Sequence, residues 1–167
     1  MNVLRPTKDQ YYCNIAEQVA LRSTCLRRHY GAVIVSHDQI ISTGYNGSPR
    51  GEKNCCDLGV CNRDALGCEK GSGYEHCPAV HAEMNAIISA ARRDMIGSTI
   101  YIVGLEGPIT LNSRYWVNGH TSIPSDADVK LYTLPNGEYK VYANPSPCTL
   151  CRRMIVNAGI ARCVGVW

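Results

Sequence analysis

Two short stretches of this chain hold residue types that bind a divalent metal and move a proton. His81-Ala82-Glu83 sets an imidazole two residues before a carboxylate, and Pro147-Cys148-Thr149-Leu150-Cys151 sets two thiols three residues apart. A helix starting near Val80 puts His81 in its first turn with one ring nitrogen toward the ion. Glu83 then points beside the ion rather than onto it. One helical turn brings the sulfurs of Cys148 and Cys151 together. Pro147 stands just before that helix, whose start offers unpaired N–H groups and partial positive charge, an environment that favours thiolates. His, Cys and Cys make three ligands, one short of a closed tetrahedron, and catalytic zinc keeps the fourth place for water. Such an ion lowers the pKa of that water toward neutrality. Glu83 is the candidate base that takes the water proton and hands protons on.

Each piece also has a plainer reading. Cys-x-x-Cys by itself suits a structural zinc half-site or a redox pair, and His-x-Glu by itself specifies little. Both motifs together, in this order and with Pro before the first Cys, match the H-x-E … P-C-x-x-C pattern of zinc-dependent nucleobase deaminases. A closed structural site needs a fourth ligand, and the residues flanking Cys148 and Cys151 supply no His or Cys.

The elements that must position these residues follow from periodicity and capping. Thr7-Lys8-Asp9-Gln10 fits a capping box, and Tyr11, Tyr12, Ile15, Ala16, Val19 and Ala20 continue at helical spacing to about Cys25. Residues 32–36 and 39–44 read as two strands joined at His37-Asp38. Residues 46–79 form a long loop rich in Gly and Cys, and a loop of that length in a compact domain needs something to order it. The helix from His81 is expected to run to about Arg93, followed by a strand over 98–103. Residues 104–138 read as an inserted β excursion with a hairpin turn at Leu134-Pro135-Asn136-Gly137, and 140–142 as a return to the core. A helix from Cys148 to Ala158 stops at Gly159, and a last strand covers 162–167. The order α-β-β-α-β-α-β predicts an α/β protein with a mixed central sheet packed by helices.

Composition bounds the rest. The 167 residues suffice for one domain, taken as 1–167. A net charge of +3, scattered without a basic run, gives no footprint for nucleic acid. There is no Phe, so the ten tyrosines are expected to carry the aromatic packing. The first residues have no apolar stretch like a signal peptide, and no segment is long enough for a membrane span. Ten cysteines in such a chain favour metal binding in a reducing cytoplasm over a disulfide scaffold. Cys13 and Cys163 fall on apolar patterns and read as core.

Several stretches resemble deoxycytidylate (dCMP) deaminases, with bacterial late-competence-type and phage members most alike. These are Leu21-Arg22-Ser23-Thr24-Cys25, Gly31-Ala32-Val33-Ile34-Val35, the run from Ile41 through Thr43-Gly44-Tyr45-Asn46-Gly47-Ser48-Pro49 to Gly51, His81-Ala82-Glu83-Met84-Asn85-Ala86-Ile87, Pro147-Cys148 and Asn157-Ala158-Gly159-Ile160. The zinc motif marks the superfamily, and the run around Gly44-Tyr45-Asn46-Gly47 narrows it. The resemblance implies a three-layer α/β/α cytidine deaminase-like fold and hydrolysis of dCMP to dUMP for thymidylate synthesis. It implies that Asn46 hydrogen-bonds the deoxyribose, and that the Ala82 N–H and the Ser146 carbonyl face the pyrimidine edge. Without it, Asn46 would read as a turn residue before Gly47. It also implies a homo-oligomer such as a hexamer, activated by dCTP and inhibited by dTTP with Mg²⁺, with Gly44, Tyr45, Asn46 and Gly47 in the effector site. The substrate phosphate needs a cation, for which Arg22, Arg27, Arg28 and Arg50 are all open.

Several members of the family carry a structural zinc that ties the first helix to the loop, and Cys25 and Cys55 match those positions. Cys61 and Cys77 are the expected further ligands, with Cys56, Cys68 and His76 in reserve. Four thiolates would order the loop and stabilise the fold directly; free cysteines or a redox switch are the alternatives. Two features depart from the family. The stretch 104–138 is longer than the usual link before Pro-Cys, and the chain stops at Trp167, where many relatives continue. The substrate-side wall is therefore expected to be completed by the insert or by a neighbouring subunit, and the last strand is expected to need a partner to cover it, which supports an oligomer. Two rival functions remain: a zinc deaminase of another substrate (cytidine, deoxycytidine, dCTP, a tRNA adenosine or a guanine-type base), or a non-catalytic zinc-binding interaction protein.

Overall fold

A computed structural model describes residues 5–69, 72–106, 130–141 and 147–166. Helix α1 (Lys8–Ala20) starts where the capping box places it. The Gln10 N–H donates to the Thr7 hydroxyl at 3.2 Å, and the Thr7 N–H donates to the Gln10 side chain at 2.9 Å. The helix ends at Ala20, before the expected Cys25, and beyond it the Ser23 hydroxyl donates to Asn46. Strands β1 (Arg28–Ser36) and β2 (Gln39–Tyr45) form an antiparallel hairpin. His37 and Asp38 both take left-handed conformations at its tip (φ 50° and 64°), the twist a two-residue hairpin turn requires. The Tyr12 hydroxyl pins that turn to α1 by donating to Asp38 Oδ1 at 2.8 Å.

The loop expected over 46–79 holds two one-turn helices, α2 (Cys55–Leu58) and α3 (Asn62–Ala65), and a 3₁₀ turn at Tyr74–His76. Helix α4 (Ala82–Ile88) is shorter than its periodicity suggested. The Ser89 hydroxyl donates back to the Asn85 carbonyl at 2.7 Å, and Ala91 turns extended to cap a separate short helix, α5 (Arg92–Met95). Strand β3 (Thr99–Glu106) follows. After residues 107–129, which lie outside the described residues, come β4 (Lys130–Leu134), β5 (Gly137–Val141), α6 (Thr149–Asn157) and β6 (Arg162–Val166).

The six strands form one mixed sheet in the order β2-β1-β3-β6-β5-β4. Of the β-rich insertion expected at 104–138, the part that is described closes onto this sheet. The β4–β5 hairpin belongs to the central sheet, and β5 pairs in parallel with β6, Tyr139 opposite Cys163. The last strand is thus interior and is covered within the chain. The sheet buries both faces, so its strands alternate between two apolar layers. Ala32, Ile34, Ile100, Ile102 and Cys163 face α4, α5 and α6, whereas Val33, Val35, Tyr101, Val103 and Val164 face α1. Cys13 and Cys163 are fully buried, as expected of core residues. Tyrosine carries the described aromatic contacts, with Tyr12 and Tyr101 ring centres 5.1 Å apart.

Two glycines let helices sit directly on the sheet. A Cβ at Gly31 would lie 2.1 Å from the Ala16 carbonyl oxygen of α1. One at Gly44 would lie 2.3 Å from both the Ala82 carbonyl oxygen and the Ala86 nitrogen of α4. At the other edge of α1, Asp9 accepts two hydrogen bonds of 2.7 Å from Arg162, one of 3.2 Å from Lys140 and one of 3.1 Å from Tyr101. Burial alone would push the Asp9 carboxyl up. The Arg162 guanidinium, then Lys140 and Tyr101, outweigh it and hold the carboxyl at about 2.

Two outcomes follow from this packing. Unfolded Asp9 titrates near 3.8, so the cluster stabilises the protein above that pH and its contribution is lost as the pH falls through about 2. Asp9→Asn is expected to lower stability at pH 7 by about 2 kcal/mol and to remove this acid-dependent loss, read from urea midpoints across that window. Gly44→Ala is expected to cost about 3 kcal/mol by overpacking and, because α4 carries His81, to lower retained zinc, read by thermal melts and metal analysis.

Candidate metal centre

His81 is the N-cap of α4, held extended (φ −70°, ψ 154°) while its carbonyl accepts from the Asn85 N–H. Three ties fasten this end of α4 to the end of β2. The Ser42 hydroxyl donates to the Ala86 carbonyl at 2.8 Å, the Asn85 amide donates to the Tyr45 carbonyl at 2.8 Å, and Gly47 and Val80 exchange backbone hydrogen bonds. Cys148 is the N-cap of α6, with Pro147 buried before it. Its sulfur takes the place of the usual capping oxygen and accepts from the Cys151 N–H at 3.4 Å.

These two helix starts bring the metal-binding atoms together. His81 Nδ1 lies 3.5 Å from Cys148 Sγ and 3.3 Å from Cys151 Sγ. Tetrahedral zinc with ordinary Zn–N and Zn–S bonds separates nitrogen and sulfur ligands by about 3.6 Å, so the residues fit the ion. Among the described residues, this is the one group of three or more His, Cys, Asp or Glu side chains with all ligand atoms within 4.8 Å. The His81–Cys148 hydrogen bond raises the imidazole above its usual value. Hydrogen bonds from Cys151 and then His81 pull the Cys148 thiol down to about 4, while Cys151, donating to Cys148 and buried, is pushed up. The three groups share protons that a metal would displace.

Glu83 sits in the first turn of α4 at 6% exposure, and burial pushes its carboxyl up. Its polar neighbours are its own backbone N–H, His81 and the cysteine pair. A buried carboxyl beside the half-buried His81, the exposed Cys148 and the buried Cys151 is placed to exchange protons.

The structure distributes the other expected residues unevenly. Ala82 opens α4, so its N–H has no acceptor within the helix. Asn46 is buried and its amide is committed inside the chain. Oδ1 accepts from the Tyr30 N–H at 2.7 Å and the Ser23 hydroxyl at 2.6 Å, and Nδ2 donates to the Arg28 carbonyl at 3.0 Å. Among the described residues the second Nδ2 hydrogen has no acceptor. Gly44 is the seat of α4, Gly47 pairs with Val80 and leaves no room for a Cβ beside Thr24, and Tyr45 is exposed. Ser146 lies outside the described residues. Of the candidate phosphate cations, Arg27 pairs with Asp64 at 3.2 Å and Arg28 donates to the Tyr30 hydroxyl, whereas Arg22 and Arg50 are exposed. Sequence reasoning missed Ser23 and Ser42, whose hydroxyls hold Asn46 and α4; Ser42 in an apolar strand was the available signal.

In the cysteine-rich loop, Cys55 and Cys61 are buried, and Cys25 and Cys77 are half-buried. Burial, then the nearby thiols of Cys25, Cys61, Cys77 and Cys56, push the Cys55 thiol up. The four expected ligands therefore share a neighbourhood, although their sulfurs do not all lie within 4.8 Å of one another. The Arg63 guanidinium over the Tyr74 ring at 4.3 Å and the Arg27–Asp64 pair help order the loop. Cys56 is exposed, and the Cys68 sulfur lies against Gly73 with the His76 ring close by.

Comparison with known proteins points to one family. The family model described as "Cytidine and deoxycytidylate deaminase zinc-binding region" matches residues 6–166. A deoxycytidylate deaminase of Mycobacterium phage D29 is 42% identical over 103 residues, which cover 59% of this chain and 78% of that protein. One from Schizosaccharomyces pombe is 41% identical over 91 residues, 54% of this chain and 28% of that longer protein. The crystal structure of dCMP deaminase from cyanophage S-TIM5, in complex with dCMP and dUMP, aligns over 99% of this chain and 86% of that one. Its TM-score is 0.55 at 21% identity, a likeness of fold. A match running through both metal-binding motifs and nearly the whole sheet makes this chain a member of the cytidine and deoxycytidylate deaminase zinc-binding family.

Proposed function

We propose that this enzyme hydrolyses dCMP to dUMP and ammonia at a single zinc held by His81 Nδ1, Cys148 Sγ and Cys151 Sγ. The observation that carries the reading is the convergence of these three atoms beside the buried carboxyl of Glu83. The substrate is taken from the relatives named above, deoxycytidylate deaminases from phage and yeast. Zinc, when bound, supplies a Lewis acid that makes water a competent nucleophile near neutral pH. Glu83 accepts a proton from the water whose oxygen bonds to C4 of cytosine, and it delivers a proton to N3. It then shuttles the second water proton to the amine, the C4–N4 bond breaks and ammonia leaves. Ala82 N–H and the Ser146 carbonyl orient the pyrimidine edge, and the remaining Asn46 amide hydrogen reaches the deoxyribose. Glu83 is itself nearly closed to bulk water.

Finer readings extend this one. The loop thiols of Cys25, Cys55, Cys61 and Cys77 close around a second, structural zinc, with small movements bringing their sulfurs to bonding distance. Gly44, Tyr45, Asn46 and Gly47 contribute to an effector site for dCTP and for dTTP with Mg²⁺. The protein works as a homo-oligomer in the cytoplasm, where its ten thiols stay reduced; among the described residues no helix is long and apolar enough to cross a membrane. One ground for an oligomer falls away, since β5 covers β6 within the chain.

Zinc-loaded protein is expected to deplete the ultraviolet absorbance of dCMP faster than that of deoxycytidine, and dCTP with Mg²⁺ to raise the rate. Glu83→Ala should keep its zinc and lose turnover by 10³-fold or more, on the order of a general acid–base contribution. Loss of zinc in that variant would show that Glu83 serves the metal site instead. Cys55→Ala or Cys77→Ala should lower zinc content by about one ion per chain and reduce thermal stability, measured by metal analysis and melting; unchanged metal content in both variants would remove the second site.

A further inference from the structure

Asn46 is 7% exposed, and its amide has two lone pairs on Oδ1 and two hydrogens on Nδ2 to satisfy. The Tyr30 N–H at 2.7 Å and the Ser23 hydroxyl at 2.6 Å fill both lone pairs, and the Arg28 carbonyl takes one hydrogen at 3.0 Å. The orientation of the amide is fixed by its backbone partners, because an N–H can only donate and a carbonyl can only accept. The link between the end of α1 and the start of β1 accounts for these three bonds. It leaves the second Nδ2 hydrogen without an acceptor among the described residues, on a side chain closed to solvent. A buried donor without a partner is costly, and a bound ligand would relieve that cost. With Oδ1 fully used, Asn46 can only donate, so the ligand group it meets must accept.

Ser23 sets this arrangement from the side of the cysteine-rich loop. Its oxygen accepts from the Cys25 N–H at 3.3 Å, which leaves its own hydrogen to turn toward Asn46. The Asn46 carbonyl accepts from the Thr24 N–H at 3.3 Å, and the Thr24 carbonyl accepts from the Cys56 N–H at 3.2 Å, so the loop is tied to the same residues. On the other side of Asn46, Gly47 exchanges backbone hydrogen bonds with Val80, directly before His81. An unbroken series of bonds thus runs from Cys25 through Ser23 and Asn46 to the segment that carries the metal-binding imidazole. The deoxyribose of dCMP offers one hydroxyl, at C3′, since C2′ has none and O5′ carries the phosphate.

We infer that Ser23 is a positioning residue for sugar recognition: its hydroxyl, oriented by the Cys25 N–H, holds Asn46 as a pure donor and commits the subsite to a 3′-oxygen that accepts. The inference rests on the deaminase reading above. It makes Ser23 the point at which the cysteine-rich loop bears on the choice of substrate.

The test pairs Ser23→Ala with removal of the 3′-hydroxyl, using dCMP and 2′,3′-dideoxycytidine monophosphate on zinc-loaded protein. In the parent protein the dideoxy substrate is expected to show a KM about tenfold higher, the effect of one hydrogen bond. Ser23→Ala should raise the KM for dCMP about tenfold. The KM for the dideoxy substrate, the kcat for both and the zinc content should stay as in the parent, because only binding of the 3′-oxygen is lost. General damage to the fold would raise both KM values together. That result, or no change in either KM, would overturn the inference and leave the deaminase reading standing. A second measurement needs no variant: calorimetry of dUMP and 2′,3′-dideoxyuridine monophosphate on the parent protein. There dUMP should bind about tenfold more tightly, and equal affinities would overturn the inference. A parent protein that holds zinc yet neither turns over dCMP nor binds dUMP would overturn the reading and the inference together.

Discussion

The metal-facing half of this protein depends on how closely α4 lies on β2. The seat is Gly44, where the backbone of α4 at Ala82 and Ala86 passes so near that no side chain fits. Ser42 and Asn85 fasten the same approach from either side. His81 and Glu83 ride on the first turn of that helix, so the depth of the seat sets the position of the imidazole nitrogen and the burial of the carboxyl together. The second half of the site is set differently. Cys148 caps α6 with its own sulfur, so the act of starting that helix orients one thiol and draws the N–H of Cys151 toward it. Two helix starts, one seated by a glycine and the other capped by a cysteine, meet on one face of the sheet.

The β4–β5 hairpin changes what the C-terminal strand requires. With β5 hydrogen-bonded in parallel along β6, the strand that follows the cysteine helix has neighbours on both sides. Arg162 at the start of β6 and Lys140 on β5 then reach the same carboxylate of Asp9 on α1. Hairpin, last strand and first helix are thereby locked by one partly buried cluster, on the face opposite the metal-binding residues. Structure and chemistry are thus kept on separate sides of the sheet.

Much of this was legible in the sequence because the signals were local. Thr7 and Gln10 announce a helix start, and alternating Val and Ile over 32–35 and 99–103 announce strands buried on both faces. His81, Cys148 and Cys151 announce a metal site by type and spacing. What escaped was non-local or decided by a single side chain. Nothing in residues 130–141 says which strand they will pair with, because a β-rich run carries no address for its partner. At the early end of α4 the Ser89 hydroxyl competes for a helical carbonyl. Asn46 read as a turn residue or a ligand for sugar; its amide also staples the end of α1 to the start of β1, which only the fold reveals. The cysteine-rich loop was rightly suspected of needing order, and its short helices and the Arg63–Tyr74 stack supply a part of it that thiol counting could not anticipate.

The strand order also has a kinetic reading. Within β1–β2 and within β4–β5–β6 each strand pairs with a near neighbour along the chain, so both groups can assemble from short loops. Strand β3 alone pairs with both groups, with β1 from Arg28 to Val35 and with β6 from Arg162 to Val166, and each pairing closes a loop of many tens of residues. Loop closure carries most of the entropic barrier when contacts are distant in sequence. The rate-limiting act of folding therefore falls on β3, the strand that carries none of the metal-binding residues, and the site forms only after two prebuilt halves have met across it.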